Sequence, residues 1–309
     1  MLDSTRTPDT ERLWRARLEL EEKLRLRQGR ETDFHTPAAQ FRAELLTRML
    51  KGFGLYERGR RNACRPRWTD LSFAFPALPE VLDGFRIVQL SDFHFLTGDT
   101  RFLEAIHALL EKVETDLCVL TGDYRFGYYG SQEHVREQVR GVLAGVQARY
   151  GFYGILGNHD LSDIVAPLRE LGIHMLVNQG MLAPAPGAPL WIAGVDDPHK
   201  FRSDSVDAAL AGAPEDAFKL FLAHSPECIA QAAARGVNLY LCGHTHGGQV
   251  RLPLIGPLFL NARCRRAYAG GRWRFGAMSG YTTYGLGTTD LPVRYYCPPE
   301  AVRITLRKG

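Results

Sequence analysis

From residue 85 onward, short apolar runs alternate with segments of helical periodicity. Six runs are typical of buried strands that end in a polar turn: FRIVQLSD, DLCVLTGD, FYGILGNHD, LWIAGVDD, FKLFLAHS and VNLYLCGHTH. Between the first three runs, RFLEAIHALLEKV and HVREQVRGVLAGVQ carry apolar side chains at helical spacing. Strands that alternate with helices in this way predict an α/β domain.

The first 80 residues follow a different pattern, and we expect them to form a helical, basic extension of a domain at 81–309. Residues 1–70 carry 16 Lys and Arg against 11 Asp and Glu, whereas the whole chain has a formal net charge of only +4. The segment ERLWRARLELEEKLRLR has helical spacing. Its high density of charge predicts a solvated arm.

A second amphipathic segment, FRAELLTRMLKGF at 41–53, carries a continuous apolar stripe. The stripe consists of Phe41, Leu45, Leu46, Met49, Leu50 and Phe53, with Arg42, Arg48 and Lys51 on its flanks. Most such helices pack their stripe against the rest of the domain. A basic amphipathic helix also suits an anionic membrane surface, and both interpretations stay open.

Composition is typical of a globular protein of a reducing compartment. The 309 residues are 45% hydrophobic and 23% charged, and the six cysteines show no regular spacing. The N-terminus lacks the apolar run of a signal peptide, and no segment has the ~18 apolar residues of a membrane span. We therefore predict a cytoplasmic protein, peripheral on the inner membrane if the 41–53 helix binds lipid. The near-neutral charge beyond the extension argues against a nucleic-acid partner.

Polar side chains gather at the carboxyl ends of the expected strands. These residues are Asp92, His94, Asp123, Asn158, His159, His224, His244 and His246. Because ligands of open α/β sheets bind at this edge, we expect residues distant in sequence to converge there. Imidazoles, carboxylates and an amide are ligands of transition metals. Seven candidates, with His159 set aside, suit two ions that share the carboxylate of Asp123.

The motif series of the calcineurin-like metallophosphoesterases resembles five blocks of this chain, which follow the same order. The blocks are Asp92-Phe93-His94, Gly122-Asp123, Gly157-Asn158-His159-Asp160, His224 and Gly243-His244-Thr245-His246. This resemblance covers residues 85–250. It implies a four-layer α/β/β/α sandwich and a metal-dependent phosphohydrolase with two metal ions.

The resemblance also implies a role for each of these residues. One metal ion would be held by Asp92, His94, Asp123 and His246, and the other by Asp123, Asn158, His224 and His244. His159, oriented by Asp160, would act as the acid or base, or stabilise the transition state. We expect two divalent ions, manganese first, while iron and zinc suit the same ligands.

The segment GDYRFGYYG departs from the family pattern, in which a second acid or an asparagine often follows the GD pair. Its residues Tyr124, Arg125 and Tyr128 either contact the substrate, with Arg125 pairing a phosphate, or pack on the domain. His199 follows the end of another expected strand, with Asp196 and Asp197 before it. It is a further candidate for lining the crevice.

The C-terminal segment resembles the end of a bacterial subgroup of this family, in which a GLGT loop and a P-x-R…CPPE segment follow GHTHGGQ; the arginine of that segment is Arg294 here. One role in that subgroup is cleavage of UDP-2,3-diacylglucosamine to lipid X and UMP, a step of lipid A synthesis. The substrate implied is thus a phosphate ester or a nucleotide-lipid, cleaved at a phosphodiester or pyrophosphate bond. The alternatives are a general phosphodiesterase, a nuclease, which would need a continuous basic track, and a scaffold that has lost its ligands.

Overall fold

The computed structural model describes residues 7–26, 37–95, 100–127, 131–185, 187–289 and 291–309. The helices are α1 (Pro8–Leu26), α2 (Pro37–Gly52), α3 (Tyr56–Ala63), α4 (Thr100–Leu110), α5 (Gln132–Leu143), α6 (Val165–Glu170), α7 (Val206–Ala209) and α8 (Ile229–Ala234). The strands are β1 (Arg67–Phe75), β2 (Arg86–Leu90), β3 (Val113–Thr115), β4 (Leu117–Leu120), β5 (Val146–Ala148), β6 (Phe152–Gly154), β7 (Ile173–Met175), β8 (Gln179–Leu182), β9 (Leu190–Gly194), β10 (Phe218–Leu222), β11 (Leu239–Cys242), β12 (Arg251–Leu252), β13 (Gly256–Pro257), β14 (Gly271–Phe275), β15 (Met278–Thr282) and β16 (Glu300–Lys308).

The fold is built on two six-stranded β-sheets. The first has the order β1-β16-β2-β4-β6-β7, and β2, β4, β6 and β7 run parallel. The second has the order β14-β15-β11-β10-β9-β8, with β15, β11, β10 and β9 parallel. All six apolar runs identified in the sequence are strands of these sheets, which confirms the predicted α/β class.

The sheets pack face to face through an apolar layer. Ile87 and Val119 of the first sheet lie in the same buried cluster as Ile192, Leu220 and Leu241 of the second. Central strands such as β4 and β9 are buried along their whole length, because each face of a central strand meets another layer. The continuous apolar runs in the sequence therefore reflect burial on both faces.

Helices cover the two outer faces. Ile106 of α4 and Val139 of α5 join the buried cluster on the outer face of the first sheet. On the second sheet, Val206 of α7 and Ala232 of α8 pack in the corresponding cluster. The order of layers is thus α/β/β/α, as the sequence resemblance implied.

The predicted extension of residues 1–80 contains a strand of the first sheet besides its helices. Strand β1 pairs in parallel with β16, from Arg67 opposite Glu300 to Phe75 opposite Lys308. Phe73 and Phe75 enter the core between the sheets. The helical part of this region ends at Ala63. None of the helices described has both the length and the apolar composition needed to cross a bilayer.

Candidate metal centre

Three predicted ligands meet beyond the ends of β2 and β11. The Nε2 atoms of His94 and His246 lie 3.0 Å apart. Nε2 of His246 is 3.4 Å from Oδ1 of Asp92. These three side chains form one group whose donor atoms are close enough to hold a single ion.

A second group lies beside the first and includes Asp123, which follows β4. Nε2 of His224 is 3.1 Å from Oδ2 of Asp123 and 3.0 Å from Oδ1 of Asn158. Nδ1 of His244 is 2.6 Å from the same Asn158 oxygen. Oδ2 of Asp123 also lies 3.5 Å from Nε2 of His94 in the first group. The Asp123 carboxylate therefore stands between the two groups, and the structure brings all seven predicted ligands together.

The backbone at these ligands is strained. Asp92, His94, Asp123, His244 and His246 all have positive φ, between 47° and 70°. Non-glycine residues rarely adopt this conformation, and such strain clusters at functional sites. Two glycines permit the close packing: a Cβ at Gly157 would lie 2.2 Å from Asp123 Oδ1, and one at Gly243 would lie 2.1 Å from Asp92 Oδ2.

The electrostatics of the site fit bound cations. Burial, with the carboxylates of Asp160 and Asp92 nearby, raises the pKa of Asp123 to about 7 despite the opposing effect of His224. Burial lowers the pKa of His224, but Asp123 and Asp92 outweigh it and raise that pKa to about 10. Burial and neighbouring cations hold the pKa of His246 well below its usual value, so its ring is neutral and offers a lone pair. A divalent cation would offset the buried carboxylates, and this donor set suits one.

Backbone groups orient the imidazoles from behind. Nδ1 of His224 donates to the carbonyl of Thr121 at 2.7 Å, which directs Nε2 towards Asp123 and Asn158. In His244 the roles are reversed, because Nε2 hydrogen-bonds the carbonyl of Asn261 and Nδ1 faces Asn158. Such outer contacts fix the tautomer and the direction of a metal-binding ring.

His159 and Asp160 lie on the loop after β6, against the ligands. The His159 ring centroid is 4.7 Å from that of His94, and its backbone N–H donates to Asp123 Oδ1 at 2.8 Å. We expected Asp160 to orient the His159 ring. In the structure its carboxylate accepts the backbone N–H groups of Asp123 and Gly157, both at 2.8 Å. Asp160 thus holds together the two loops that carry His159 and the shared carboxylate.

The structure gives no support to a substrate contact by Tyr124 or Arg125. Tyr124 is fully buried, and its ring lies 6.1 Å from that of Phe93. Arg125 is also buried and pairs with Asp163 at 2.7 Å. Neither residue lines the cavity described below. Tyr128 lies outside the described residues.

A cavity of about 190 Å³ opens over the ligands. Its polar lining includes Asp123, His159 and His244. Its apolar lining includes Leu46 of α2 and Leu291. Helix α2 therefore contributes to the wall of the candidate site, because its inner side packs on the domain.

Three further residues near the ligands had no predicted role. Arg294 is fully buried and places its guanidinium 3.2 Å from Nδ1 of His246. Arg17 of α1 binds the backbone of the loop that carries His159. Glu227 bonds His199 at 2.6 Å, and the His199 ring lies 4.2 Å from that of His244. Two of these residues had a signal in the sequence: His199 follows a strand end, and Arg294 is the arginine of the P-x-R segment.

Comparison with known proteins bears on this centre. Residues 85–248 match the model of the calcineurin-like phosphoesterase family. The uncharacterized metallophosphoesterase YkuE of Bacillus subtilis is 32% identical over 74% of this chain and 82% of its own length. Phosphodiesterase YaeI of Escherichia coli is 30% identical over 80% of this chain and 92% of its own. A zebrafish transmembrane protein with a metallophosphoesterase domain is 28% identical over 86% of this chain and 62% of its own.

Proposed function

Because the chain belongs to the calcineurin-like phosphoesterase family and is a metal-dependent phosphoester hydrolase, we propose that it cleaves a phosphodiester or pyrophosphate bond at the centre described above. Asp92, His94, Asp123 and His246 would hold one divalent ion. Asp123, Asn158, His224 and His244 would hold the other. The observation that carries this proposal is the Asp123 carboxylate, which stands between two buried groups of His and Asp donors.

Bound divalent ions supply Lewis acidity, which lowers the pKa of a coordinated water and neutralises charge on phosphoryl oxygens. The protein side chains do the remaining work. His159 lines the cavity beside the ligands, where its ring can stabilise a phosphoryl oxygen or protonate the leaving group. Asp160 fixes the backbone of the loop, so that His159 and Asp123 keep their relative positions.

The apolar residues in the cavity wall favour a substrate that has an apolar part. Leu46, Val250, Phe259 and Leu291 line it together with the polar ligands. A phosphodiester headgroup would lie on the polar side and an acyl chain against the apolar side. The nucleotide-lipid UDP-2,3-diacylglucosamine, which the motif resemblance suggests, has this division.

Exposed apolar side chains on the outer side of α2 suggest that such a substrate reaches the site from a lipid surface. Phe41 and Phe53 are 65% and 75% exposed, and Leu45 and Met49 are also exposed. Leu254 and Ile255 at the tip of the β12–β13 hairpin are exposed apolar side chains as well. Exposed apolar clusters of this kind mark interaction surfaces, and exposed Lys51 and Arg48 on α2 suit an anionic one. We propose that this face binds the membrane surface peripherally.

The test compares substrates and metals on one preparation. Metal-free protein receives manganese, iron or zinc, and is assayed with bis-p-nitrophenyl phosphate, p-nitrophenyl phosphate and UDP-2,3-diacylglucosamine. The proposal expects metal-dependent cleavage of the diester, and UMP release from the nucleotide-lipid if the apolar wall binds acyl chains. Activity on the artificial diester alone would remove the nucleotide-lipid substrate. Inactivity on all three with each metal would refute the hydrolytic proposal for these substrate classes.

Asp123→Asn is the variant for this assay, and Asp70→Asn is its control. Asp70 lies exposed on β1, where its nearest ionic partner is Arg303 at 3.6 Å. The two substitutions remove the same charge, but only one changes the centre. Loss of activity in both variants would indicate a general effect of the substitution and not a role for the shared carboxylate.

A further inference from the structure

Helix α1 is held to the domain by buried charges, although its sequence predicts a solvated arm. Arg17 is fully buried, and Glu21 is only 2% exposed. Burying a guanidinium is costly unless every donor finds a partner, so its contacts are specific. The expectation of a solvated arm is therefore wrong for the inner side of α1, because its charges have partners in distant loops.

The partners outside α1 lie in two loops of the metallophosphoesterase domain. The Arg17 guanidinium donates to Glu21 at 2.8 Å, to the carboxylate of Asp196 and to the backbone carbonyl of Asp160. Glu21 in turn accepts the backbone N–H of Ser162 at 2.8 Å and its hydroxyl. Side chains on two consecutive turns of α1 thus hydrogen-bond to residues 160 and 162.

These hydrogen bonds are made with the loop that carries His159 of the candidate centre. Asp160 follows His159 in the chain, and its carboxylate holds the backbone of Asp123 and Gly157. The same residue therefore connects Arg17, through its carbonyl, with the backbone of Asp123, through its side chain. Displacing Arg17 would free one side of the loop that fixes His159 over the cavity.

We propose that Arg17 is a positioning residue of the hydrolytic site, and that α1 completes this site from outside the family region of residues 85–248. The inference rests on the proposed function. A positioning contact differs from a purely structural contact in the property that changes when the contact is lost. A structural contact would change the stability of the protein, whereas a positioning contact changes turnover by the folded enzyme.

The test uses Arg17→Gln and Arg17→Lys, with Arg15→Gln as the matched control. Arg15 lies on the same helix, its side chain is 73% exposed, and it pairs with Glu11 one turn earlier at 3.0 Å. We expect kcat of Arg17→Gln for bis-p-nitrophenyl phosphate to fall about 10- to 100-fold, as for other outer contacts of metal sites. KM should change less than about twofold, since Arg17 does not line the cavity. Arg17→Lys should recover part of the loss, because it retains the charge without the fork of donors.

Amide hydrogen exchange of the metal-free proteins gives a readout that does not depend on activity. Peptides containing residues 157–162 should exchange faster in Arg17→Gln than in the wild type and Arg15→Gln. If Arg17→Gln does not fold, Ser162→Ala removes one bond to Glu21 and should show the same changes at smaller size. A folded Arg17→Gln or Ser162→Ala with wild-type kcat and exchange would overturn the inference. A wild type inactive on every substrate would instead refute the proposed function, and the exchange data would still test the contact.

Discussion

The family region and helix α2 line the same cavity, and α1 contacts a loop of the family region outside it. Residues 85–248 supply buried, charged side chains at strand ends, where strained backbone fixes their direction. Helices α1 and α2 lie outside that region and supply support and a wall. The proposed chemistry requires donors held by the sheets, whereas we propose that access and positioning are added by a separate segment of the chain. Substitutions in the two regions should therefore have effects of different size and kind.

The largest effect is expected in the family region, at the shared carboxylate. Asp123→Ala removes a donor common to both groups, and turnover should fall at least about a thousandfold, because Lewis acidity contributes several kcal/mol to catalysis. Steady-state assays with metal in excess measure this loss. Retention of more than a tenth of the activity would contradict the view that Asp123 serves both groups.

The next effect separates binding of metal from catalysis within the same region. His159→Ala should lower kcat about 100- to 10,000-fold, because its ring acts on the substrate in the proposed mechanism. The metal content, measured by mass spectrometry of the purified protein, should stay that of the wild type. Loss of metal together with activity would show His159 to be a ligand, and the assignment of seven ligands would need revision.

A smaller and substrate-dependent effect is expected on α2. Replacing Phe41 and Phe53 by serine should weaken binding to vesicles of phosphatidylglycerol and phosphatidylethanolamine about tenfold or more, because two large apolar side chains no longer enter the lipid. Hydrolysis of bis-p-nitrophenyl phosphate should stay within about twofold. Co-sedimentation and parallel assays provide both numbers.

Leu182→Ser is the control for the α2 variant, since Leu182 is also an exposed apolar residue but lies on β8, at the edge of the second sheet. Its vesicle binding should equal that of the wild type. Equal loss in the two variants would indicate general hydrophobic attachment. Wild-type binding by the α2 variant would remove the membrane proposal while leaving the hydrolytic centre untouched.

The sequence was most informative where local pattern and final position coincide. Apolar runs that stop at Asp92, Asp123 or His224 predicted both a strand and a ligand, because parallel strands end at one edge of a sheet. Strand β1 was not predicted, although Leu71, Phe73 and Phe75 alternate with polar or small residues. Its partner β16 comes from the other end of the chain, and no local pattern indicates that pairing.

Long-range ion pairs explain the features that the sequence did not predict. Two partners of Arg17, the Asp160 carbonyl and the Asp196 carboxylate, lie 143 and 179 residues away along the chain, so its charge pointed to solvent exposure until the fold was known. Arg125 lies two residues after the motif aspartate Asp123, so the sequence suggested that it binds a substrate phosphate. Asp163 holds it in the interior instead. The role of a charged side chain depends on which loops the fold brings next to it, and the periodicity of the sequence does not show which loops these are.

Anomalous diffraction from crystals of the manganese-loaded protein would show whether Asp123 lies between two ions. We expect two peaks about 3.5–4 Å apart, one on each side of the Asp123 carboxylate. One peak should lie within bonding distance of His94 and His246, and the other of His224 and His244. A single peak, or two peaks with Asp123 bound to only one of them, would contradict a shared carboxylate between two ions.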